Sequence, residues 1–112
     1  MSHYKSNLRD IEFNLFEVFG GTDRFGHAPF EDIDVETAKD FLKNTEKLAT
    51  GILSDTFASA DRNPPVYDPA TYSVTMPKDF AAAYQALMDT EGWRLEIPEG
   101  LGGINCPPSL RW

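Results

Sequence analysis

Eight residues, Gly21 to Ala28 (GTDRFGHA), carry the glycine spacing of a phosphate-binding loop. That chemistry needs backbone amides and a lysine charge together, then a hydroxyl residue, on a turn between strand and helix. Here His27 stands where the lysine belongs, Ala28 replaces the hydroxyl residue, and a helical pattern comes before. Phosphate binding is therefore rejected. Asp32, Asp34 and Glu36 are spaced like calcium ligands, but no glycine follows at the sharp-turn position and the twelfth residue of the series is Lys43. An acid-rich helix N-terminus accounts for them without metal.

His3 and His27 lie far apart, and neither has a second ligand at metal spacing or an evident catalytic partner. His3 reads as a frayed terminal residue and His27 as a loop residue. Cys106 is the one cysteine, set between Asn105 and Pro107 with no activating base nearby, and reads as an inert thiol. Tyr67, Tyr72 and Trp93 could stack on bases, yet no basic groove accompanies them, so core or interface packing is the better reading. No Ser-His-Asp arrangement can be argued. No catalytic, cofactor-binding or metal-binding residue is assigned in this chain.

The 112 residues suffice for one domain with a modest core. Hydrophobic residues make up 41% and charged residues 25%, a globular composition. The formal net charge of -8, with no local Lys/Arg cluster, argues against nucleic-acid binding. A lone cysteine excludes an intrachain disulfide and suits a reducing cytoplasm. Arg9, Asp10, Glu12 and Glu17 interrupt the apolar opening, so it does not read as a signal peptide, and no apolar run is long enough for a membrane span.

The elements that would position any site are helical. Leu8, Ile11, Leu15, Val18 and Phe19, with Phe16 beside them, predict an amphipathic helix of about three turns. Asn7 is its cap and Gly20-Gly21 its stop. Phe13 falls off the stripe, which suggests more than one neighbour. A connector rich in Gly, Asp and Pro follows. One long helix is expected from about Val35 to Ala60, capped by Asp34. Its stripe is Ala38, Phe41, Leu42, Leu48, Ala49, Ile52, Leu53, Phe57 and Ala60. Gly51 within it costs about 1 kcal/mol relative to alanine, which close approach by another backbone would justify. Asn63-Pro64-Pro65 ends that helix. Val66-Tyr67 and Tyr72 to Thr75 predict a hairpin that should lean on the helices. A third helix runs from about Lys78 to Asp89 with Phe80, Tyr84, Leu87 and Met88 as its stripe. WRLEIPEGLGG is extended and turn-like, and PPSLRW opens a fourth helix at Pro107 or Pro108. The fold class expected is all-α with a small β-hairpin excursion.

Three segments together resemble one branch of bacterial acyl-CoA dehydrogenases. YKSNLRDIEFNLFEVFG (Tyr4 to Gly20) resembles its N-terminal extension. DRNPPVYDPATYSVTMPKDF (Asp61 to Phe80) resembles its proline-rich excursion between helices. Pro98, Glu99, Gly102 and Gly103 resemble the family's Pro-Glu-x-x-Gly-Gly turn, with Gly100 a departure from the residue usual there. The resemblance implies residues 1–30 as an extension helix with its connector. Residues 31–112 would be an N-terminal helical domain, incomplete at its C-terminus.

It also implies a flavoenzyme of fatty-acid or related carboxylate breakdown. Such an enzyme uses FAD to remove two hydrogens across the α–β bond of an acyl-CoA: a glutamate takes the α-proton and flavin N5 accepts hydride. That glutamate and most flavin contacts lie downstream in the family, so no FAD is expected on this segment alone. Expected partners are the remaining domains or neighbouring subunits in a homo-oligomer, with acyl-CoA as substrate of the whole enzyme. A free-standing helical interaction module without redox activity is the alternative, and a small independent enzyme ranks below both. The leading reading expects apolar surface that the chain itself does not cover.

Overall fold

A computed structural model describes residues 3–111. The chain is mainly helical with one two-stranded antiparallel hairpin, as the sequence predicts. It divides into two compact units. Among the described residues, one comprises 6–47 and 91–111, the other 3–5 and 48–90.

In the first unit, α1 (Leu8–Glu12) starts where the Asn7 side chain accepts a hydrogen bond from the Asp10 amide at 3.2 Å. It passes directly into a wider π-type turn, Phe13–Val18. There the Phe19 amide reaches back five residues to the Asn14 carbonyl. This wider turn shifts the helix phase by a residue, so neighbouring Leu15 and Phe16 are both buried. The predicted stripe needs correcting accordingly: Ile11, Val18 and Phe19 are exposed, Phe19 to 75%. Gly20, with φ of +60°, makes the left-handed stop.

The connector is a packed loop. Phe25 is only 2% exposed, and its ring meets Phe16 edge-on, with centroids 5.4 Å apart. Ile33 joins them, and α2 (Val35–Leu48) adds Ala38, with Phe41 and Leu42 half-buried alongside. Asp34 caps α2 as expected, accepting from the Thr37 amide at 2.8 Å.

Residues 92–110 complete this core with Leu95, Cys106 and Leu110, and Pro107 is fully buried. The stretch read as extended and turn-like is turn-like: it coils into two 3-10 turns, Gly92–Glu96 and Glu99–Leu101, and is extended only between them. Gly102 has φ of +88°, and a Cβ on Gly103 would overlap the Ile97 carbonyl. The Gly-Gly pair is therefore required by left-handed geometry at one residue and close backbone approach at the next. The Ile104 amide donates to the Arg94 carbonyl at 2.8 Å, and the Arg94 Nε donates to the Gly102 carbonyl at 3.0 Å. Helix α5 (Pro108–Arg111) begins at Pro108, one of the two starts expected.

In the second unit the single helix expected to Ala60 is broken. A kink within Ala49–Leu53 precedes α3 (Ser54–Arg62), and Gly51 leaves helical geometry at φ -98° and ψ -114°. Nothing lies within 4 Å of where a Gly51 Cβ would sit, so close backbone approach does not explain this glycine. Strands β1 (Val66–Asp68) and β2 (Ser73–Thr75) pair with Tyr67 opposite Val74. Asp68 organises the turn by accepting from the Ala70 amide and the Thr71 hydroxyl, both at 2.9 Å. The hairpin was expected to lean on the helices, yet every residue of both strands is exposed. Helix α4 (Lys78–Asp89) has the predicted bounds.

Phe16→Asp should detach α1 from its core, seen as faster proteolysis near Gly20. Unchanged cleavage would contradict the packing. Asp34 supplies a second check. Hydrogen bonds from Thr37, side chain first and amide second, hold the carboxyl of this exposed residue below the ordinary range. A lowered folded-state pKa stabilises above the unfolded value of about 3.9, and that stability is lost as pH falls through the folded value. Asp34→Ala should lower the melting temperature near neutral pH, and its gap to wild type should close under acid.

Candidate functional site

A concavity lies within the second unit, between α3 and α4. Leu53, Thr56, Phe57, Ala60 and Asp61 line it from one side, at the spacing of one helical face. Phe80, Ala83, Tyr84 and Leu87 line the other at the same spacing. The groove holds about 420 Å³. Ala83 is buried where the helices approach, and its small side chain permits that approach. The Ser59 hydroxyl donates to the Asp79 carboxylate at 2.6 Å and ties α3 to α4. Phe57, Phe80 and Tyr84 remain exposed, Phe57 to 65%. His3 is not frayed as expected: its ring packs on Phe57 with centroids 4.7 Å apart.

This lining can hold apolar surface but does not suit redox or hydrolytic chemistry. Thr56 gives its hydroxyl hydrogen bond to the Leu53 carbonyl. Asp61 would repel a diphosphate, and no cationic side chain lines the groove to offset it. These residues do not fit FAD.

The rejected motifs have structural duties. The amides of Asp23, Arg24, Phe25, Gly26 and His27 all donate to carbonyls of their own loop, so none is aimed at an anion. The His27 ring nitrogen Nδ1 lies 3.0 Å from the Phe25 carbonyl. Asp34 caps α2 and Glu36 pairs with Lys39 at 3.3 Å. Among the described residues, no three His, Cys, Asp or Glu side chains gather as a metal set. Burial pushes the Cys106 thiol up, partly offset by Arg111, and its Sγ faces the Leu95 carbonyl at 3.7 Å. Tyr67 and Tyr72 belong to the exposed hairpin, and Trp93 to the other unit. No described helix is long and apolar enough to cross a membrane.

Sequence reasoning found the stripes that make this groove and expected apolar surface that the chain itself does not cover, without saying that these two stripes face each other. The informative signal was the alanine-rich α4, which lets two helices meet while the larger side chains splay apart.

The helical organisation and the Pro-Glu-x-x-Gly-Gly turn agree with the class the three segments resemble, and comparison with known proteins extends the likeness to an acyl-CoA dehydrogenase along the entire chain. That relative is the broad-specificity linear acyl-CoA dehydrogenase FadE5 of Mycobacterium tuberculosis, 46% identical over 113 aligned positions. The match takes in 100% of this chain but 18% of the enzyme, consistent with an N-terminal domain of that family. No protein-family model matches the chain.

Replacing Phe57 and Phe80 together by Gln should cut binding of an apolar fluorescent dye by about half or more while far-UV circular dichroism is retained. Unchanged dye binding would place the sticky surface elsewhere.

Proposed function

We propose that this chain is the N-terminal helical domain of an FAD-dependent acyl-CoA dehydrogenase, with a structural and cleft-wall role and no catalysis of its own. The observation that carries this is the 46% identity over the whole chain to a segment of one such enzyme. The open groove between α3 and α4 supports it, because aromatic side chains left uncovered on a helical pair call for further protein against them. Residues 1–30 serve as the extension and residues 31–112 as the domain proper.

FAD, when bound by the complete enzyme, would supply the hydride acceptor; the side chains of this segment pack, cap and shape. Acyl-CoA is the substrate of that whole enzyme, and its remaining domains and sister subunits are the partners of this surface. A soluble setting suits the reading.

A chimera tests it: the matched segment of the mycobacterial relative is replaced by this chain. The chimera should purify yellow and dehydrogenate an acyl-CoA, while the 112-residue chain alone should be colourless and inactive. A folded, soluble chimera without flavin would contradict the domain assignment. Flavin bound by this chain alone would contradict the division of labour.

A further inference from the structure

The groove between α3 and α4 is charged at one end only. Among the described residues of its lining Asp61 alone is charged, and the rest, from Leu53 to Leu87, is uncharged. Asp61 stands in the last turn of α3, where the helix carbonyls already make the potential negative. The Ser59–Asp79 hydrogen bond brings a second carboxylate, from the first turn of α4, to the same end. Among the described residues, neither an ion pair nor a side-chain hydrogen bond engages Asp61. Arg62 and Lys78 are near in sequence but do not line the groove.

We propose that the segment covering this groove is an amphipathic helix with an apolar stripe and a lysine or arginine at the end that meets Asp61. Its helical form follows from the walls. Both present side chains at helical spacing, and together they make a furrow that the ridge of a third helix can enter. A strand would need free backbone amides and carbonyls, which two helices have already used in their own ladders. The cation follows from charge complementarity. An apolar helix without one would leave Asp61 covered and unpaired, and an acidic helix would be repelled. The stripe supplies affinity, and the charge pair at the rim sets orientation. The inference deepens the reading above and rests on it only in taking the cover to be polypeptide.

Two fluorescent synthetic peptides of about 18 residues, long enough to form a helix, test it against the 112-residue chain. Each has a leucine stripe on an alanine and glutamine background; one carries two lysines in its last turn, the other two glutamates there. By fluorescence anisotropy the lysine peptide should bind about fivefold more tightly, the most that an exposed pair supplies. Asp61→Asn should bring the two peptides within about twofold of each other. Asp55→Asn makes the same charge change on the same helix but outside the lining, and should preserve the preference. Equal binding of both peptides to the wild-type chain would overturn the proposal. So would a preference that Asp55→Asn erases as fully as Asp61→Asn, which would mean attraction by the net charge of -8 alone. If neither peptide binds, a dimeric chain would show that a second copy fills the groove, and a monomeric chain that no helix docks there; either result overturns the proposal. No arm uses flavin or acyl-CoA, so failure here is separable from failure of the functional reading.

Discussion

Two helices and a two-stranded hairpin cannot enclose a hydrophobic core, because each element hides one stripe and needs a further layer to do it. That constraint governs residues 48–90. Ala83 and Ser54 are buried there, while Phe57, Phe80, Tyr84, Leu87 and the whole hairpin remain open. Residues 6–47 and 91–111 do better. They gather Phe16, Phe25, Ile33 and Leu95 with Leu110 into one cluster, each large side chain contributing about 1.5–3 kcal/mol when fully buried. A single chain thus contains one region that gathers a buried cluster, with Ile11, Val18 and Phe19 left outside it, and another in which most large apolar residues stay open.

Polar groups sharpen the contrast. Asn7, Asp34 and Asp68 each spend a side chain on local backbone amides, fixing a helix start, a second helix start and a turn. The Arg9–Glu17 and Arg94–Glu91 pairs are surface contacts, worth little to stability. None of these converges on the groove between α3 and α4. Its character is steric and apolar, which suits a supporting wall and gives a reacting atom nothing to work with.

Much of this was legible beforehand. The bounds of α4, the hairpin, the Asn7 and Asp34 caps and the start at Pro108 follow from local rules that tertiary packing had no reason to override. Three features were hidden, each for a physical reason. Phe25 sits in a Gly/Pro-rich connector with no periodicity around it, so nothing local announces that its ring seats against Phe16. The π-type turn at Phe13–Val18 changes helix phase, and a stripe drawn at regular spacing then points Val18 and Phe19 the wrong way. Gly51 looked like a tolerated residue inside a long helix, because a 3.6-residue pattern continues through it even though the backbone does not. The groove was half visible. Its two stripes were read correctly, but a sequence cannot say whether two stripes meet each other or both await a third.

The central claim is that this polypeptide presents apolar surface that it does not itself cover. Sedimentation velocity of the 112-residue chain across a concentration series, at low and at moderate salt, tests it most directly. The net charge of -8 should hold molecules apart at low ionic strength, and screening it should allow concentration-dependent association. A monomer that persists at high concentration in both salts, with no affinity for apolar dye, would contradict the account.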